Sequence, residues 1–65
     1  MTFSVGQAVE IVVRDQWKRY VVTEALTRGR GQTVRMHAKR DGSTMSVPAS
    51  WLRNWIENGS ARLVS

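Results

Sequence analysis

Sixty-five residues leave room for one domain, 1–65, with a single small core; a chain of this size buries only about 60% of its unfolded surface. With no cysteine and one histidine, His37, disulfide staples, thiolate metal sites and histidine triads are excluded, and no metal or other cofactor is expected. Ten Lys and Arg against five Asp and Glu give a net charge of +5, an excess that suits an anionic partner and also serves solubility. No apolar run approaches the ~18 residues of a membrane span, and the first four residues lack the basic and apolar regions of a signal peptide, so a cytoplasmic protein with no membrane contact is expected.

In chain order, Val5-Gly6-Gln7 reads as a turn. It opens a strand over residues 8–14 in which Val9, Ile11 and Val13 alternate with Glu10, Val12 and Arg14, so the first set is expected to face a core. Asp15-Gln16 is a short connection to a second strand over residues 17–27. The alternation there falters around Thr23-Glu24-Ala25-Leu26, as a bulge, a bend or burial on both faces would make it. Residues 27–32 interleave Gly29 and Gly31 with Arg28 and Arg30 and read as a loop. Residues 33–39 alternate cleanly, with Val34, Met36 and Ala38 on one face and Arg35, His37 and Lys39 on the other. Asp41-Gly42 marks a hairpin, and residues 43–47 form a fourth strand.

The stretch 47–59 reads as a short helix. Trp51, Leu52, Trp55 and Ile56 fall at i, i+1, i+4 and i+5 and are expected to plug the end of the sheet. Pro48 suits a first helical turn, Ser50 is a candidate cap, and Asn58-Gly59 is a stop. Residues 61–64 form a short strand able to pair back near the start. Four strands, a helix and a fifth strand describe an all-β fold, a small five-stranded SH3-like barrel; the rival is an open sheet with one packed helix.

Phe3-x-x-Gly6-x-x-Val9 with Trp17, and Gly42-Ser43 leading to Pro48-Ala-x-x-Leu52, resemble the plasmid-type dihydrofolate reductases, small SH3-like barrels that assemble as tetramers around a pore. The matched residues are scaffold. Where that family has Val-Gln-Ile-Tyr before the proline, this chain has Thr44-Met45-Ser46-Val47, and Ile11 stands where the pore lysine belongs. The resemblance therefore implies the fold without the reductase activity. The same outline is similar to KOW, Tudor and integrase-tail barrels, and fold alone does not choose among their functions.

The basic segment from Arg28 to Arg40 carries Arg28, Arg30, Arg35, Lys39 and Arg40 and no carboxylate. Guanidinium forks and backbone N–H groups in a glycine loop suit phosphate, and Arg35, His37 and Lys39 would be spaced ~6.6–6.8 Å apart along one strand face; the same residues also make an ordinary solvated face. Trp17, beside Lys18 and Arg19, is the aromatic most apt to be exposed and to stack on a base, whereas the spacing of Trp51 and Trp55 argues for core. The carboxylates are scattered, and Gly29-x-Gly31 precedes no helix, so neither acid–base catalysis nor a dinucleotide site is indicated. The expected function is non-enzymatic binding of DNA or RNA through Arg28, Arg30, Arg35, His37, Lys39, Arg40, Trp17, Lys18 and Arg19. The alternative is a protein-interaction module, either an adaptor or inhibitor on an acidic surface or a self-assembling barrel. A monomer or weak homo-oligomer is expected. Eight arginines to two lysines suit planar recognition of phosphate and carboxylate alike.

Overall fold

The computed structural model describes residues 2–64. Five strands and one helix follow one another as β1 (Ala8–Val13), β2 (Gln16–Arg28), β3 (Gly31–His37), β4 (Thr44–Pro48), α1 (Ala49–Glu57) and β5 (Ala61–Val64). The strands make one antiparallel sheet in the order β4-β3-β2-β1-β5, with the helix between the fourth and fifth strands as expected. Among the described residues β4 and β5 share no ladder; α1 packs against both of them and against β3. None of its helices is long and apolar enough to cross a membrane.

Each connection has a local cause. Val13 pairs with Gln16, so Arg14 and Asp15 alone turn the first hairpin, both with positive φ (52° and 63°). That is the pattern of a type I′ turn, whose hand matches the twist of the strands it joins. Alternation alone extends the strand to Arg14 and puts the connection at Asp15-Gln16, one residue later than the structure has it. The second hairpin is equally tight. Arg28 pairs with Gly31, and Gly29 supplies the positive φ of 56° at the first turn position. The expected loop over residues 27–32 is thus mostly strand, because one glycine at the tip is enough to reverse the chain. The third connection is longer and is closed by Gly42, whose φ is 73° and whose N–H donates to the Ala38 carbonyl at 2.9 Å.

The irregularity in β2 is a bulge. Register shifts between Val22 and Glu24, leaving Thr23 to donate its hydroxyl to the Arg35 carbonyl at 3.3 Å. The extra residue keeps Tyr20, Val22 and Ala25 on the core side while the strand bends. There the backbone of Val22 bonds the turn before β1: Gly6 N–H donates to Val22 (2.8 Å) and Val22 N–H to Gln7 (2.9 Å). The Gln32 amide accepts from Phe3 N–H and donates to Phe3 C=O, both at 3.2 Å, pinning Phe3 into the core.

The core is wholly apolar. Val9, Ile11, Val34, Met36, Ala38 and Leu52 are buried as their periodicity requires, joined by Tyr20, Val22 and Val47. Three expectations fail. Val13 lies at the strand end and is exposed, Trp51 is 59% exposed, and Trp55 and Ile56 pack against the core only in part. For the two tryptophans the cause is angular, whereas Ile56 lies within the buried sector and is half-buried near the end of the helix. At about 100° per residue, Ala49, Leu52 and Ile56 fall in one sector of about 60°; Trp55 lies about 60° beyond Leu52, and Trp51 about 100° from it. Nine residues of helix on a small sheet bury the narrow sector and leave Trp51 outside. The helix starts at Pro48, an extended residue that serves as N-cap itself with no side-chain cap, so neither Pro48 in the first turn nor Ser50 as cap is found. Its end is the expected stop: Gly59 has a φ of 86°, and Ser60 N–H to Trp55 (2.8 Å) with Gly59 N–H to Ile56 (3.4 Å) forms a Schellman motif.

Candidate functional site

Cross-strand pairing decides which cations meet. On the face of the sheet turned from the core, Arg19 lies opposite Glu10 and Glu10 opposite Arg62; Trp17 lies opposite Val12, and His37 opposite both Val21 and Thr44. Between the β1–β2 hairpin and the β3–β4 connection this face forms an open groove of about 1100 Å3. It is lined by Trp17 and Val21 on that face and by Val13 at the end of β1. Arg14, Gln16, Lys18 and Arg19 approach from the first hairpin, Lys39, Arg40 and Asp41 from the third connection, and Glu10 from β1. Five cations against two carboxylates leave the lining at +3.

The carboxylates are engaged. Lys18 Nζ donates to Asp41 Oδ2 at 2.6 Å, while Asp41 Oδ1 accepts from the Ser43 N–H (3.0 Å) and hydroxyl (2.7 Å). The Lys18 ammonium, then the Ser43 donors, hold the Asp41 carboxyl well below the usual carboxylate range. The same bond to Asp41 raises the Lys18 ammonium above the usual lysine value. This latch ties the β3–β4 connection, and with it Lys39 and Arg40, to β2. Glu10 accepts from Arg62 Nε at 2.8 Å and lies 3.9 Å from Arg19 Nε. Arg62 in turn places its guanidinium 4.0 Å over the Trp17 ring. Arg14, Lys39 and Arg40 make no ion pair among the described residues, so their charge is available to a ligand.

The predicted basic segment is therefore not one surface. Arg28 and Arg30 sit at the exposed tip of the β2–β3 hairpin, six residues along β3 from His37, which is about 20 Å at strand rise. Arg35 pairs with Glu24 at 3.4 Å. Lys39 has left the strand, since β3 ends at His37, so the expected ladder of Arg35, His37 and Lys39 is broken. Lys39 and Arg40 instead join Trp17, Lys18 and Arg19, which the sequence had placed in a separate group. Trp17 is 41% exposed, whereas Phe3 and Tyr20 are buried. Arg14, Gln16, Glu10 and Arg62 were missed as site residues. The sequence held a faint signal for Arg14, a cation next to a connection, and none for Glu10–Arg62, a pair 52 residues apart. Among the described residues no group of three or more His, Asp and Glu is placed to hold a metal.

Comparison with known protein families, characterised proteins and solved structures finds no match for this chain. The class that the fold itself defines is a small, basic, five-stranded antiparallel domain with one helix inserted before its last strand.

Proposed function

We propose that this domain is a non-enzymatic nucleic-acid-binding module that holds the phosphate backbone in the groove between its first hairpin and its third connection. The observation that carries the reading is the convergence of Arg14, Lys39 and Arg40, without ion-pair partners among the described residues, with Arg19 around one groove. Cations gathered from two separate connections around one groove attract a polyanion and release its counterions. The strand order and the position of the helix support an SH3-like architecture for the module.

Fluorescence anisotropy with labelled DNA and RNA at about 50 and 200 mM salt tests this. With Arg14, Arg19, Lys39 and Arg40 each on one phosphate, log K falls with log salt at a slope of about −3.6 on duplex and about −2.8 on single strands. Replacing Lys39 and Arg40 together by Ala reduces the slope by about 1.4 to 1.8 and weakens all base sequences alike, because phosphate contacts position rather than specify. Absence of micromolar binding to any nucleic acid at the lower salt would overturn the proposal. The exposure of Trp51 favours a second reading, a contact surface for a protein partner on the outer side of α1.

A further inference from the structure

We infer that the groove takes a single strand, with one unpaired nucleobase stacked on Trp17 and its flanking phosphates on Arg14 and the Lys39–Arg40 pair. This rests on the nucleic-acid reading above and names the kind of strand it applies to. Three observations converge on it.

The first is the alternation of chemistry within one groove. Trp17 and Val21, with Val13 at the strand end, give its lining apolar surface, and Arg14, Arg19, Lys39 and Arg40 line it beside them. A duplex presents two phosphate rails and covers the faces of its bases by stacking, so it has nothing to offer an indole in the groove. An unpaired strand offers both a π-face for the indole and phosphates for the cations.

The second is that Trp17 is exposed yet held. Glu10 accepts from Arg62, and the Arg62 guanidinium lies 4.0 Å over the indole. Trp17 lines the groove and Arg62 does not. One ring face is therefore taken by the guanidinium, and a stacking base would use the other. A cation on one face also fixes the ring's orientation before any ligand arrives, which removes part of the ordering cost of binding.

The third is that the flanking cations are the unpaired ones. Lys18 is held by Asp41, and Arg19 is shared with Glu10 at 3.9 Å. Among the described residues Arg14 on the first hairpin and Lys39 and Arg40 on the third connection have no ion-pair partner, and all three line the groove that holds Trp17. A base on the indole with its phosphates on those cations matches that arrangement.

DNA and RNA both supply this chemistry, so the test uses both. The full chain is titrated with oligo-dT and oligo-rU of about ten nucleotides, within the usual site size of small single-strand binders, and with a duplex of equal length. The expected result is tighter binding to at least one single strand than to the duplex, accompanied by saturable quenching of tryptophan fluorescence. Trp17→Ala weakens single-strand binding by about tenfold, the effect of one lost stack, and weakens duplex binding much less. Trp17→Phe keeps an aromatic face and the fold, and retains most of the preference while losing most of the quench. If the alanine variant does not fold, comparison of Trp17→Phe with Trp17→Leu carries the test. Equal losses on single strand and duplex, or no loss on either, would overturn the stacking inference and leave the phosphate reading standing. No binding to any of the three would remove both.

Discussion

At the scale of single residues, two side chains in the groove carry opposite lessons about strain. Asp41 is a surface carboxylate, 50% exposed, whose importance comes from accepting three hydrogen bonds at once. Because its folded value lies below the ordinary one, its contribution to stability is complete above the ordinary carboxylate range. It is lost as pH falls below about 4 toward the depressed value. Hydrogen exchange followed across that range is expected to show the amides of Gly42 and Ser43 losing protection together, and Asp41→Ala, which removes the acceptor, to show them unprotected at neutral pH with no acid transition. Arg14 is the reverse case. An arginine at a φ of 52° in a type I′ turn costs about 1 kcal/mol relative to asparagine or glycine. Arg14→Asn is therefore expected to raise stability by about 0.5–1 kcal/mol in denaturant unfolding while weakening nucleic-acid binding. A residue that strains a turn and lines the proposed anion site is the trade of stability for binding that the proposal requires.

At the scale of elements, the helix shows where burial is decisive. Leu52 is fully buried against the sheet, and Leu52→Ala is expected to cost about 2–5 kcal/mol, enough to unfold a domain of this size. Trp51→Ala, at the exposed edge, is expected to stay within about 0.5 kcal/mol; equal losses for the two would show that α1 is seated on a different face. The same contrast explains what was legible from sequence. Strands with strict alternation, such as Thr33 to Ala38, declared both their type and their buried face, since a period of two leaves one arrangement that hides Val34 and Met36. The bulge announced itself through a broken alternation, and Asn58-Gly59 through the left-handed cap it provides. The Arg14-Asp15 turn was hidden because neither residue is a glycine or asparagine. Trp51 was misplaced because four large apolar groups at i, i+1, i+4 and i+5 span a wider arc than a short helix can bury. The return of β5 to β1 is as expected, but the groove itself was illegible: it depends on the β3–β4 connection folding back to Lys18, a long-range contact without a local sequence signal.

At the scale of the whole molecule, its longest extent of 34 Å separates the cations into two stations. The groove holds Arg14, Arg19, Lys39 and Arg40, and the β2–β3 tip holds Arg28 and Arg30, about 20 Å or more away along the hairpin. Arg35 lies between them but is paired with Glu24, and Leu26 on the same stretch is an exposed apolar residue, so the path offers few free charges. A stacked strand advances about 3.4 Å per phosphate, so a ligand bound in the groove reaches the tip only after about six more nucleotides. The contribution of the tip is therefore expected to depend on ligand length. With an oligonucleotide of about four nucleotides, replacing Arg28 and Arg30 together by Ala leaves affinity and salt slope unchanged. With one of about sixteen, the same change lowers the slope by about 1.4 on a single strand, the release of two phosphate contacts. Lys39 and Arg40, by contrast, are expected to matter at both lengths. Equal sensitivity of the short oligonucleotide to both pairs would move the primary site to the hairpin tip. Insensitivity of the long one to Arg28 and Arg30 would confine binding to the groove and leave the tip as a solvated turn.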